Sequence, residues 1–238
     1  VEQQPHFPGM NTGTVVRTHQ RLMQRVFGWM FAGLSMTAII ALALSMNPNV
    51  PAFLMENQGV LWGIWIANLV IVFGLSLLLH RLSVFAATLG FFVYAALNGI
   101  SFTLILHIFD LGVIFPAFFI AAGMFGLFAV IGYTTKMDLT KIGNIALMLV
   151  IGLVLASLVN FFWMKSGIIT FIISCALVIL FCVITAFDIQ KIKEMSAHAY
   201  EEDAASKLAI FGALMLYIDF IVIFKELLYI LNILSSDD

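Results

Sequence analysis

The sequence predicts an all-α integral membrane protein of seven transmembrane helices, the last of them central and surrounded by the other six. Three observations lead there. Of 238 residues, 63% are hydrophobic and 10% charged, against about 25% charged in an ordinary soluble domain. A mean hydropathy of +1.10 leaves far more apolar surface than a soluble fold of this length can bury. These residues fall into seven unbroken runs, not the ~10-residue alternating segments of a membrane β-barrel. The last run, Lys207 to Leu234, is apolar enough for lipid yet carries Asp219, Lys225 and Glu226. Ionisable groups inside a span are costly and face the bundle interior, so the other spans are expected to form a sleeve around this one.

Residues 1–25 are expected to form a cytoplasmic tail and basic anchor. Their first sixteen residues look like a loose tail, with Pro5 and Pro8. No apolar h-region precedes a cleavage site, so the first span is expected to direct its own insertion. Arg17, Arg21 and Arg25 recur every four residues and so line one side of a helix. That pattern fits a cytoplasmic anchor for the first span better than a nucleic-acid patch.

The transmembrane domain is placed at residues 26–234, with spans near 26–46, 60–79, 84–106, 115–133, 142–162, 168–188 and 208–234. Each is long enough for a ~30 Å hydrocarbon core. The first connector holds two prolines and no basic residue, and the second is a tight turn around Arg81. The sixth, roughly 189–207, is the longest and most charged, and residues 235–238 form an acidic tail. With the N-terminus inside, the cytoplasmic segments hold Arg17, Arg21, Arg25, Arg81, Lys136, Lys141, Lys191, Lys193 and Lys207. The outer segments then hold Lys165, so the charge bias places the N-terminus in the cytoplasm and the C-terminus outside. Gly123, Gly126, Gly152, Ala156, Gly212 and Ala213 are expected at close helix contacts. Cys175 and Cys182 lie roughly 10 Å apart along one helix, too far for a disulfide, and read as buried thiols. Asn68, Asn98 and Asn160 lie inside spans and are expected to bridge helices.

Chemistry concentrates on few residues. Asp188 ends the sixth run, with Lys191 three positions on; Asp219 lies ~18 Å beyond Lys207 along a helix. If the two carboxylates meet, they cannot both ionise cheaply, and the pair would hold one proton near neutral pH. Arg81 lies at the same membrane level as Asp188 and is a cation able to bias the pair. Glu226 shares a helical face with Asp219 and Gly212, which suggests a polar track whose carboxylates suit a hard cation such as Ca²⁺. Lys225, beside Glu226, either neutralises it or snorkels outward. No nucleotide loop, CxxC pair, HExxH or serine-nucleophile motif is present, no fixed metal site is expected, and the chain does not read as an enzyme. The Gly-x-Gly-Asp signature of intramembrane aspartyl proteases is missing, and Glu226 directly beside Lys225 argues against a retinal Schiff base.

Three segments carry a family resemblance: Gly132-Tyr133-Thr134-Thr135-Lys136-Met137-Asp138-Leu139, Ala186-Phe187-Asp188-Ile189-Gln190 and Leu216-Tyr217-Ile218-Asp219-Phe220. With seven spans in this order, the chain resembles bacterial members of the Bax inhibitor-1 (transmembrane Bax inhibitor motif) family from Arg21 onward. The resemblance implies a central last helix and a pH-sensitive calcium leak in the bacterial inner membrane. It implies that Asp188 and Asp219 form the pH-sensing pair and that Arg81 latches onto it in the closed state. Relatives commonly read D-F-I-N-L-F after the last aspartate and then an arginine; this chain has Val222 and Tyr229 at those places. Some bacterial relatives lack the aspartate pair and modulate a membrane protease, whereas this chain keeps the pair. The expected function is therefore a pH-gated Ca²⁺ leak through a monomer or weak oligomer, with lipids and cations as partners and no nucleic acid. The alternative is a non-conducting regulator of a membrane protease or of stress and cell-death machinery.

Overall fold

The computed structural model describes residues 12–78, 81–196 and 202–236, with side chains over 20–78, 81–196 and 202–235. Helix α1 spans Thr12–Ser45, α2 Asn49–Glu56, α3 Gln58–Leu78 and α4 Val84–Ile108. Helix α5 spans Leu111–Thr134, α6 Thr140–Val159, α7 Gly167–Ser196 and α8 Glu202–Ser236, and one π-turn, Asn160–Met164, follows α6. Among the described residues, seven stretches are long and apolar enough to cross a membrane, each overlapping one of the seven apolar runs. The chain is an integral, multi-pass membrane protein. Part of the expected N-terminal tail (residues 1–11), the Arg17 side chain, His198, Glu201 and the end of the acidic tail lie outside the described residues.

Three boundaries differ from the sequence expectation. The backbone is already helical from Thr12, inside the stretch read as a loose tail. The first connector contains α2: Asn47 Oδ1 accepts the Asn49 amide at 3.1 Å. Pro48 and Pro51 sit at the cap and in the first turn, where no intrahelical N–H is required. The sixth connector is much shorter than 189–207, because α7 continues to Ser196 and α8 begins at Glu202. Side chains on this extension bind the loop between α5 and α6, which holds the extra turns helical. Asp188 therefore lies not at a helix end but eight residues inside one, ~12 Å from the end of α7.

Helix α8 is the core element. About 67% of its most apolar stretch is buried, against 11–33% in the other spans. It packs chiefly against α7, α5, α1 and α4, while α3 lies on α4 and α6 on α7. The sleeve expected from sequence thus consists of four close neighbours backed by two outer helices. Those outer helices turn Ile66, Leu69 and Phe73 of α3, and Ile145, Met148 and Leu155 of α6, outward, as surfaces that meet lipid do.

One polar knot pins α8 to α1 and α4. The fully buried Tyr217 hydroxyl lies 2.7 Å from Thr37 Oγ1. Thr37 Oγ1 lies 2.9 Å from the Ala95 carbonyl and 3.0 Å from that of Gly33. A threonine hydroxyl has one proton. Thr37 therefore donates to carbonyls and Tyr217 donates to Thr37. Tyr217→Phe is expected to cost about 0.6–2 kcal/mol, the range for interhelical hydrogen bonds in membranes. Reversible unfolding in SDS-containing micelles measures it, and Thr37→Val should cost less in this background than in the native protein, because only the bonds of Thr37 to the Ala95 and Gly33 carbonyls remain to be lost.

The basic residues gather at the end of the bundle where α1 enters. There Arg25 pairs with Glu202 at 2.8 Å, and Glu202 and Asp203 occupy the first turn of α8, the favourable end of its dipole for acids. Glu202, inside the stretch expected as the sixth connector, is thus a helix-start residue in an exposed ion pair. Not every expected small-residue contact exists. A Cβ at Gly123, Gly126 or Gly152 would meet open space, because those faces of α5 and α6 look outward, whereas Gly212 packs on Ile192 and Val26. Among the described residues Asn98 likewise makes no hydrogen bond to another helix; its amide returns to Tyr94 O of its own helix at 2.9 Å. Asn160 does join two elements, accepting the Ser166 amide at 3.0 Å and donating to Thr170 Oγ1 at 2.7 Å. Of the two cysteines, Cys182 is buried and Cys175 half-buried, both as free thiols.

Candidate functional site

The site lies where α7 and α8 run antiparallel. Gly212 lies against Ile192, and the Asp219 carboxyl lies beside the Thr185 side chain. Both pairs are seven residues apart on each helix, so the register holds between them. It puts Asp188 level with Leu216, three residues and ~4.5 Å of rise from the Asp219 level. Both aspartates are buried, at 7% and 2% exposure. The register thus brings the two acids expected from sequence to neighbouring levels of one helix interface.

Their surroundings differ. Asp219 Oδ2 is buried and has no hydrogen-bond partner. Its other contact, the Thr185 hydroxyl, donates its own proton to Phe181 O at 2.8 Å. A hydroxyl oxygen keeps acceptor capacity after donating, so Thr185 can receive a proton held on Asp219. The buried thiol of Cys182, one turn further along α7, also lies within the influence of Asp219. Asp188, nearer the basic end, is acted on by Lys191 of its own helix. The Lys191 ammonium lies 5.7 Å from the Phe187 ring centroid.

Two glycines let neighbouring helices approach the backbone around Asp188. A Cβ at Gly132 of α5 would collide with the backbone of Ala186, whose carbonyl oxygen is its nearest atom and whose Cα would lie 2.7 Å away. A Cβ at Gly143 of α6 would strike the Phe187 ring. Residues 186–188 are therefore clasped between α5, α6 and α8.

The loop between α5 and α6 is tied to the same helix. Gln190 Nε2 donates to Met137 O at 2.8 Å, and Gln190 Oε1 accepts the Leu139 amide at 2.8 Å. Lys193 Nζ donates to Tyr133 O at 3.0 Å and lies 5.1 Å from the Tyr133 ring centroid. Asp138, exposed in this loop, caps α6 by accepting the Thr140 amide at 2.9 Å. Hydrogen bonds from the Thr140 side chain and amide hold its carboxyl below the usual carboxylate range. The two segments Gly132–Leu139 and Ala186–Gln190 therefore form one interlocked unit.

The remaining expected residues stand apart. Arg81 is exposed in the turn between α3 and α4, with its backbone amide on Leu78 O at 2.8 Å; among the described residues it makes no ion pair. Glu226 is half-buried, ~10.5 Å beyond Asp219 along α8. Among the described residues Lys225 makes no ion pair across helices, and it does not reach a helix end: its ammonium lies 5.2 Å from the centroid of the Trp65 ring on α3. Among the described residues no group of three or more histidine, cysteine or acidic side chains could hold a metal ion. Sequence reasoning missed Thr185 and Trp65, and it counted Lys193 only as a cytoplasmic charge and Gln190 only within a resemblance segment, because no spacing in the sequence marks the loop they bind.

The family model described as inhibitor of apoptosis-promoting Bax1 matches residues 19–237. The inner membrane protein YbhL of Escherichia coli K12 is 40% identical over 213 residues, covering 89% of this chain and 91% of YbhL. An uncharacterized protein of Deinococcus radiodurans is 38% identical over 216 residues, covering 91% and 90% of the two chains. Another from Borreliella burgdorferi is 35% identical over 218 residues, covering 91% and 94%.

Proposed function

The chain belongs to the Bax inhibitor-1 family, and from that premise we propose that it is a pH-sensitive cation leak, most simply for Ca²⁺, switched by a proton shared between Asp188 and Asp219. The observation that carries this reading is the buried, unpartnered Oδ2 of Asp219 beside a second buried carboxyl. A carboxylate with an orphaned oxygen in an apolar bundle is costly, and a proton relieves that cost. Loss of the proton leaves two like charges at adjacent levels of one interface, which favours separating α7 from α8. Arg81 is the latch of a closed state in this reading, reaching the pair by a movement of the turn between α3 and α4. Glu226 is the second station of the path, on the same face of α8.

The family description names an inhibitor and not a reaction, and the protein is not an enzyme. The gathering of basic residues at the end where α1 enters supports, under the positive-inside rule, an orientation with that end in the cytoplasm and the C-terminus outside, and the name of the Escherichia coli relative supports the inner membrane. The test is Ca²⁺ entry into dye-loaded proteoliposomes of the purified protein. A rate that changes through one single-proton transition between about pH 6 and about pH 8 is expected, about two pH units wide from 10% to 90%. No flux at any pH, with a membrane protease copurifying stoichiometrically from native membranes, would instead select a non-conducting regulator.

A further inference from the structure

Lys225 is a cation held inside the membrane by groups that the leak reading does not use. Eleven residues of α8 follow it, ~16 Å of helix, so the side chain does not reach the end of α8. Trp65 lies seven residues, ~10 Å, from the start of α3, which gives a similar depth below the same face. The ammonium rests on the Trp65 ring at 5.2 Å. One turn along α3, on the face that carries Trp65, the buried Oδ1 of Asn68 has no hydrogen-bond partner. On α8, Glu226 faces as Asp219 does, and Lys225 is turned from them by about a third of a circle, toward α3. The outer half of the bundle therefore carries a lysine ammonium seated on an aromatic face, beside the acid track.

We propose that Lys225, held on Trp65, is a specificity-determining residue: a tethered cation that discriminates by charge among ions crossing the outer half of the bundle. This rests on the leak reading. Coulomb repulsion scales with the charge of the passing ion. A fixed charge that slows a monovalent cation by some factor therefore slows a divalent one by the square of that factor. Glu226 and Trp65 set the size of the factor; the square relation does not depend on them.

The experiment compares Tl⁺ and Ca²⁺ entry into proteoliposomes of the native protein, Lys225→Met and Lys225→Arg at one pH. Replacing an intramembrane ammonium by an apolar chain of similar length does not threaten folding. The expected result for Lys225→Met is a Tl⁺ rate raised about threefold and a Ca²⁺ rate raised about ninefold, with Lys225→Arg near native for both ions. Unchanged rates, or equal rises for the two ions, overturn the proposal while leaving the leak intact, since a packing change moves both ions alike. A native protein that passes neither ion removes the leak reading and this inference together.

Discussion

Asp219→Asn proteoliposomes will pass Ca²⁺ at one rate across the range from about pH 6 to about pH 8, equal to the acid limit of the native protein. Asparagine has the shape of a neutral carboxyl and no proton to lose, so it fixes the pair as if the shared proton were always present. Asp188→Asn should do the same, because a single proton serves both carboxyls. The double variant should then differ little from either single one, within the few tenths of a kcal/mol that separate independent from coupled sites. The native rate should follow a single-proton curve over the same range. A full native pH response retained in Asp219→Asn would remove the pair from gating, and additive single-variant effects would make the two acids independent. Thr185 gives a third reading of the same geometry. Its hydroxyl proton is already committed to Phe181 O, so Thr185→Val removes an acceptor for a protonated Asp219 and should move the midpoint of the pH response toward acid.

The seven spans were legible because a membrane crossing demands length and apolarity that composition alone reports. The aspartates were legible for the converse reason: an acid inside a span must be compensated, so it stands out. What hid was set by contacts between distant segments. The stretch Lys191–Ser196 reads as a charged loop, yet it is helix, because Gln190 and Lys193 are held by Tyr133, Met137 and Leu139 some fifty to sixty residues earlier. The seat of Lys225 on Trp65 was not legible, because Trp65 lies 160 positions away and only the fold brings α3 beside it. The glycines were the sharpest case. Gly123, Gly126 and Gly132 all lie on α5 in similar apolar context, but only the face a glycine presents decides whether a helix needs it small.

That distinction makes Gly132 the most sensitive packing position beside the site. Gly132→Ala adds one methyl group, and its nearest neighbours are the Ala186 carbonyl oxygen and Cα. A side chain could rotate away; a helix backbone cannot, so α7 must shift from α5. The expected cost is about 1–3 kcal/mol, the range for overpacking a tight core, read as a lower midpoint of SDS unfolding. Ala186 lies two residues before Asp188, so the same shift alters the distance from Asp188 to Asp219 and should move the midpoint of the pH response. Gly143→Ala meets the Phe187 ring, a side chain able to yield, and should cost less. Gly126→Ala, on the same helix as Gly132 but with nothing within 4 Å of the new methyl, is the control. It should be neutral or slightly stabilising, because alanine favours helix over glycine. If Gly132→Ala proves as stable as Gly126→Ala and keeps the native pH midpoint, the clasp around residues 186–188 does not position the pair.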